Sequence, residues 1–170
     1  MKRNILLLVI ITAASLLISE NSSAQNIGLQ GAGGRVSFVD PEGGGGGAIG
    51  LGGHVHLGEI IPNLVLHPSL EYWSKSGVSA FTINADVRYY FPTEGNIDFF
   101  GGGGIALNFT SVDLGQFGDA NSTDLGLNIL GGADFPVAEN LVATAEIKFL
   151  LSDFHAIKIT GGITYFFGNN

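Results

Sequence analysis

The sequence predicts an all-β fold, an eight-stranded antiparallel up-and-down β-barrel, and three observations carry the prediction. Apolar and polar side chains alternate with a period of two in segment after segment. The segments number eight and are separated by turn signals. Charged residues make up only 13% of the chain, yet no stretch beyond the first residues is long and apolar enough to be a membrane helix. An even number of antiparallel strands joined in order can close on itself and so abolish its edges.

The alternation is clearest between Val78 and Phe109. Phe81, Ile83, Ala85, Val87, Tyr89 and Phe91 share one face, and Thr82, Asn84, Asp86, Arg88 and Tyr90 share the other. Pro92 to Asn96 supplies turn chemistry, after which Ile97, Phe99, Ile105, Leu107 and Phe109 resume an apolar face opposite Asp98, Ala106 and Asn108. The result is a hairpin with one oily and one polar face.

The other segments follow the same rule. Ile27 to Val39 comes first, with a parity change read as a bulge at Gly33-Gly34, and Asp40 to Gly47 is its loop. Ala48 to Glu59 sets Ile49, Leu51, Val55 and Leu57 against His54 and His56, and Pro62-Asn63 turns the chain. Leu64 to Trp73 sets Leu64, Leu66, Leu70 and Tyr72 against His67, Ser69, Glu71 and Trp73. A polar stretch from Asp113 to Asp124 reads as the longest loop. Leu125 to Phe135, Leu141 to Leu151 and His155 to Phe167 complete the set, with turns at Pro136 to Asn140 and Ser152 to Phe154.

Residues 1–24 read as a signal peptide: Lys2 and Arg3, an apolar core from Ile5 to Ile18, and Ser22-Ser23-Ala24 at the cleavage position. The apolar run is shorter than the roughly 20 residues of a spanning helix. Residues 25–170 are then one domain with five basic and fourteen acidic residues, a net charge of −9. That balance excludes nucleic acid as a partner, since phosphates need a basic surface. With no Cys there is no disulfide, no thiolate metal site and no lipoprotein anchor.

Which face points inward decides between a soluble and a membrane barrel, and three features favour the apolar face outward. The polar face is sparsely charged and carries Gly50, Gly52, Gly102, Gly104, Gly132 and Gly162, small residues that a narrow interior accommodates. Aromatic residues gather at strand ends, with Tyr89, Phe91, Phe99, Phe135, Tyr165 and Phe167 at one rim and Phe38, Tyr72, Phe81, Phe109 and Phe149 at the other. The three Pro- and Asn-containing turns fall on one side, taken as periplasmic. The competing reading is a secreted soluble barrel with the faces swapped and an apolar ligand cavity.

With this architecture the chain resembles the small outer-membrane β-barrel proteins, the OmpA-type transmembrane domain and the OmpX- and OmpW-like barrels, over essentially all of Gln25 to Phe167. The resemblance implies outer-membrane localisation in a Gram-negative-type bacterium and contact with outer-membrane lipid; the chain is expected to be non-enzymatic, for the reason of strand geometry given below. It also implies that the ending Ile163-Thr164-Tyr165-Phe166-Phe167 serves as an assembly signal, with Tyr165 and Phe167 its aromatic members, for the barrel assembly machinery. The chain departs from the pattern in the three residues that follow Phe167. No peptidoglycan-binding domain follows, so a wall anchor is not implied.

An inward polar face places Glu71, Asp86, Arg88, Asp98, Glu146, Lys148 and Lys158 in a narrow lumen, where unpaired charges are expensive and pairing is expected. His54, His56 and His67 share that face, and because a free imidazole titrates near neutral pH they would suit a proton-sensing pore. His54 and His56 with Glu71 or Asp86 form only a weak metal-ligand set, and no cofactor is expected. His67, Ser69 and Glu71 have the residue types of a hydrolase triad, but neighbouring positions on one strand rarely give its geometry. Asp119, Asn121 and Asp124 lack Ca²⁺-loop spacing, and Gly43 to Gly47 lacks the Lys-Ser or Lys-Thr of a phosphate loop. The expected role is structural or surface-interacting, as a monomer, with a narrow pore for small or hydrophobic solutes as the alternative.

Overall fold

In a computed structural model the described residues are 27–41, 46–152 and 155–168. The expected signal peptide lies outside them, as do Gly43 to Gly45 and the Asp153-Phe154 part of a turn. Among the described residues the strands are β1 (Gly31–Pro41), β2 (Ala48–His56), β3 (Glu59–Ile61), β4 (Leu64–Lys75), β5 (Val78–Tyr90), β6 (Asp98–Asp113), β7 (Asp119–Ala138), β8 (Leu141–Leu151) and β9 (Ala156–Phe166). Every pairing is antiparallel, and β1 pairs with β9 from Gly31↔Phe166 to Pro41↔Ala156, which closes the sheet.

The short β3 continues β2. Leu66 accepts a hydrogen bond from the Leu57 N–H at 3.0 Å and donates to the Gly58 carbonyl at 3.2 Å, so two residues oppose one. Gly58 takes the positive φ, 79°, that this bulge requires. The wall therefore has eight staves, as the alternation predicts. Leu57, expected on the outer face, is buried at the bulge instead.

Side-chain alternation survives closure with the apolar set outside. Leu51, Leu125, Leu127, Ile129 and Ile159 are all more than half exposed, whereas Arg88, Lys148, Lys158 and Asp86 are almost completely buried. This is the reverse of a soluble barrel, and an apolar band of this extent is stable against hydrocarbon rather than water. The wall is a transmembrane surface. Tyr89 packs on Phe91 and Tyr165 on Phe167 at one rim, and Phe81 lies beside Phe109 toward the other, where the two aromatic girdles were expected.

Two expectations about the chain path are corrected. The β1–β2 register runs without a break from Gly31↔His56 to Val39↔Ala48, so there is no bulge at Gly33-Gly34. The parity change falls earlier, where Gln30 donates to the His56 carbonyl although Gly31 is the register partner of His56. The polar stretch Asp113 to Asp124 is also mostly strand. β6 and β7 pair without interruption up to Asp113↔Asp119, leaving residues 114–118 as the connection. Beyond the hydrocarbon a ladder needs no apolar face, so alternation fades while hydrogen bonding continues.

Inward glycines mark where the wall curves too tightly for a side chain. A Cβ on Gly132 would lie 2.2 Å from the Ala145 carbonyl oxygen and 2.6 Å from the Phe100 ring, whereas one on the outward Gly161 would meet nothing within 4 Å. Gly132→Ala is therefore expected to reduce or abolish the fraction of protein that migrates as a heat-modifiable folded band in detergent. Gly161→Ala is expected to leave that fraction unchanged, with a stability change within about 0.5 kcal/mol.

Candidate functional site

Inward positions of all the long strands meet in a lumen that is filled in layers. At the end away from the termini, Val39, Ala48, Trp73, Ala80, Ala106, Leu150 and Ala156 form a buried apolar cluster. Below it lies a belt of neutral polar groups: Ser37 with Thr160 at 2.9 Å, Thr82 donating to Asn108 at 2.9 Å, and Asn84 donating to Ser69 at 3.2 Å. Asn128 ties this belt to the charges beneath, donating to Asn84 at 2.9 Å and to Asp86 at 2.7 Å.

The third layer is an ion-pair network that crosses the barrel. Glu146 on β8 accepts from Arg35 of β1 at 2.7 Å and from Arg88 of β5 at 2.5 Å. Glu71 on β4 accepts from Lys158 of β9 at 2.5 Å and lies 3.3 Å from Arg35. Lys148 bonds Asp86 at 2.7 Å and sits within 4 Å of both Glu71 and Glu146. The Arg88 guanidinium also lies 4.2 Å from the centre of the Phe100 ring, a cation–π contact. Four cations face three carboxylates, and all seven are buried. Because each carboxylate reaches cations on at least one distant strand, the network braces the wall across its diameter.

At the terminal end His54 stacks on His67 with ring centres 4.7 Å apart, and His56 stands edge-on to His67 at 6.2 Å and to Phe166 at 5.0 Å. His54 is held by Thr164 at 2.7 Å through Nε2. Stacked rings do not converge their nitrogens on one point, and no group of metal-ligating side chains is found among the described residues. Tyr90 and Thr144 both donate to Asp134, at 2.8 and 2.6 Å, beside this layer.

Of the expected charged residues, six are brought together: Glu71, Asp86, Arg88, Glu146, Lys148 and Lys158. Asp98 is not. It is exposed at the rim opposite Asp134 and takes part in none of these ion pairs. Arg35 is the member that sequence reasoning missed. Placing the parity change at Gly33-Gly34 hid it, whereas alternation counted back from the outward Phe38 and Val36 would have turned it inward. The hydrolase-like trio is not assembled: Ser69 is bonded to Asn84, His67 is stacked on His54, and Glu71 is held by Lys158 and Arg35. Tyr165 and Phe167 project outward at the terminal rim, and Phe167 N–H bonds the Gln30 carbonyl at 2.8 Å.

Comparison with solved structures places this architecture. The chain is similar to Neisserial surface protein A, with 21% identity, a TM-score of 0.61, and coverage of 81% of this chain and 95% of that one. The fold is that of the small outer-membrane β-barrels. The N-terminal barrel domain of Pseudomonas aeruginosa OprF superposes with a TM-score of 0.65 at 16% identity, covering 82% of this chain and 98% of that one. The attachment invasion locus protein Ail of Yersinia pestis gives 0.56 at 14% identity, with 82% and 97% covered. No protein-family model matches the chain, and no curated protein matches its sequence.

Removing the carboxylate that joins two arginines tests the network. Glu146→Ala leaves Arg35 and Arg88 without their closest partner, and breaking a buried pair costs about 3–5 kcal/mol. The variant is expected to unfold at markedly lower urea concentration, followed through the fluorescence of Trp73, the chain's single tryptophan. A midpoint equal to that of the parent would show that the network does not brace the wall.

Proposed function

We propose that this chain is a monomeric, non-conducting barrel of the outer membrane of a Gram-negative-type bacterium, non-enzymatic, with a structural and surface-interacting role in the envelope. The observation that carries the reading is the lumen. An apolar cluster spans one end and a salt-bridge network spans the middle, so a solute crossing it would have to break both. An eight-stranded interior is only wide enough for side chains, and here they fill it.

The orientation follows from the same features. The connections at residues 62–63 and 139–140, with the termini, lie at the end assigned to the periplasm, and the long β6–β7 hairpin projects from the other. The outer-membrane assignment is supported by the lipid-facing wall and by the shared fold. Tyr165 and Phe167, outward on the closing strand, are the residues we assign to recognition by the barrel assembly machinery. The apolar band is the surface for membrane lipid.

Reconstitution into planar bilayers tests the sealed lumen. The parent protein is expected to show no steady single-channel conductance at neutral pH. Regular open-state steps would overturn the reading and favour the narrow-pore alternative, with the histidine layer as its gate.

A further inference from the structure

Residues 25–170 contain two copies of the acceptor triplet of N-linked glycosylation, Asn-x-Ser/Thr with no proline in the middle. They are Asn108-Phe109-Thr110 on β6 and Asn121-Ser122-Thr123 on β7. The bacterial form of this acceptor adds a carboxylate two residues before the asparagine, a charge for the transferase to hold. Asp119 stands at that position for Asn121, whereas Ala106 stands there for Asn108.

Strand geometry separates the two copies further. Positions two apart share a face, so the carboxylate position, the asparagine and the hydroxyl position all point the same way. On β6 that face is the lumen. Ala106 and Asn108 are buried, Asn108 accepts from Thr82 at 2.9 Å, and Thr110 Oγ1 is shut off from solvent. On β7 it is the outer face. The β6–β7 register is unbroken from Leu127 to Asp119, so Asp119, Asn121 and Thr123 continue the outward row of Leu125, Leu127 and Ile129, and all three are exposed. The Asn121 side chain makes no hydrogen bond among the described residues; its neighbour Ser122 is the one engaged, with Asp124 at 3.1 Å. Six residues of strand, about 20 Å, separate Asn121 from Leu127, which places its amide beyond the apolar band.

We propose that Asn121 is the acceptor of an N-linked glycan, with Asp119 and Thr123 as the residues that the transferase recognises. The donor is an oligosaccharide carried on a polyprenyl pyrophosphate, met while the unfolded chain crosses the periplasm. The Asn121 side-chain nitrogen attacks C1 of the first sugar. The C–N bond forms as the C1–O bond to pyrophosphate breaks, the amide proton passes to a carboxylate base of the transferase, and the lipid pyrophosphate leaves. The fold accommodates this product. A glycan on Asn121 projects outward from the hairpin, whereas one on Asn108 would have to occupy the packed lumen and would prevent closure. Passage through the periplasm rests on the outer-membrane placement proposed above; the outward direction of the acceptor face does not.

The test is peptide mass spectrometry on the full protein purified from the outer-membrane fraction of its own cells. Chymotryptic cleavage after Phe109 separates the two triplets. The peptide carrying Asn121 is expected to exceed its sequence mass by a whole number of sugar residues, and the peptide carrying Asn108 to match its sequence mass. N121Q and T123A are expected to abolish the added mass, D119N to lower occupancy at least 10-fold, and T123S to preserve it. All four positions are exposed, and the variants are expected to remain heat-modifiable. A parent Asn121 peptide at its sequence mass, a glycan on Asn108, or full occupancy in D119N would overturn the proposal. Fractionation and heat modifiability are read on the same samples, so an unglycosylated protein in the outer membrane overturns the glycan alone, and a protein absent from that membrane overturns the placement itself.

Discussion

Hydrocarbon offers the backbone no hydrogen-bonding partner, and that constraint determines most of what the structure does. Every N–H and C=O in the spanning region must be satisfied by another strand, so the sheet has to close. Closure is made by β1 against β9, the first and last of the described strands. Once closed, the wall has two surfaces with different solvents, and period-two alternation assigns side chains to them. The apolar set goes to lipid and everything polar is forced into a space with little room for water.

Polar crowding explains the lumen's composition. A buried cation is tolerated only when paired, and the four in this lumen are gathered around three carboxylates with further support from Asn128 and the Phe100 ring. Glycines occupy inward positions where a neighbouring carbonyl oxygen comes too close for a Cβ, as at Gly132. The same side chains fill the lumen in layers, from the apolar cluster through the ion pairs to the stacked histidines. Beyond the bilayer the β5–β6–β7 part of the wall continues past the end of the β7–β8 ladder.

Much of this was legible in the sequence, because alternation is a local property and reports directly on a two-faced wall. The Phe81-to-Phe91 face and its polar counterpart Thr82-to-Tyr90 could be read residue by residue, and six of the seven expected charged residues meet as a network. What was lost depended on long-range facts. Arg35 was hidden because Gly33 and Gly34 carry no side chains to show parity, and the true shift at Gln30-Gly31 is visible only in its pairing with His56. Leu57 was misplaced because a bulge against Leu66 is a property of two strands. Asp98 has inward parity but lies at the rim, since alternation gives the face and not the depth. The Asp113-to-Asp124 stretch was taken for a loop because strand outside the membrane has no apolar face to announce it.

The central claim is that the two faces of each strand are inverted relative to a soluble barrel, and a cysteine scan tests it most directly. The chain has no native Cys, so single cysteines from Leu125 to Leu130 can each carry a nitroxide label in reconstituted bilayers. Collision with oxygen dissolved in the hydrocarbon is expected to be high at 125, 127 and 129 and low at 126, 128 and 130, where the side chains enter the packed lumen. The opposite phase, or uniform accessibility to a water-soluble relaxation agent, would contradict the account.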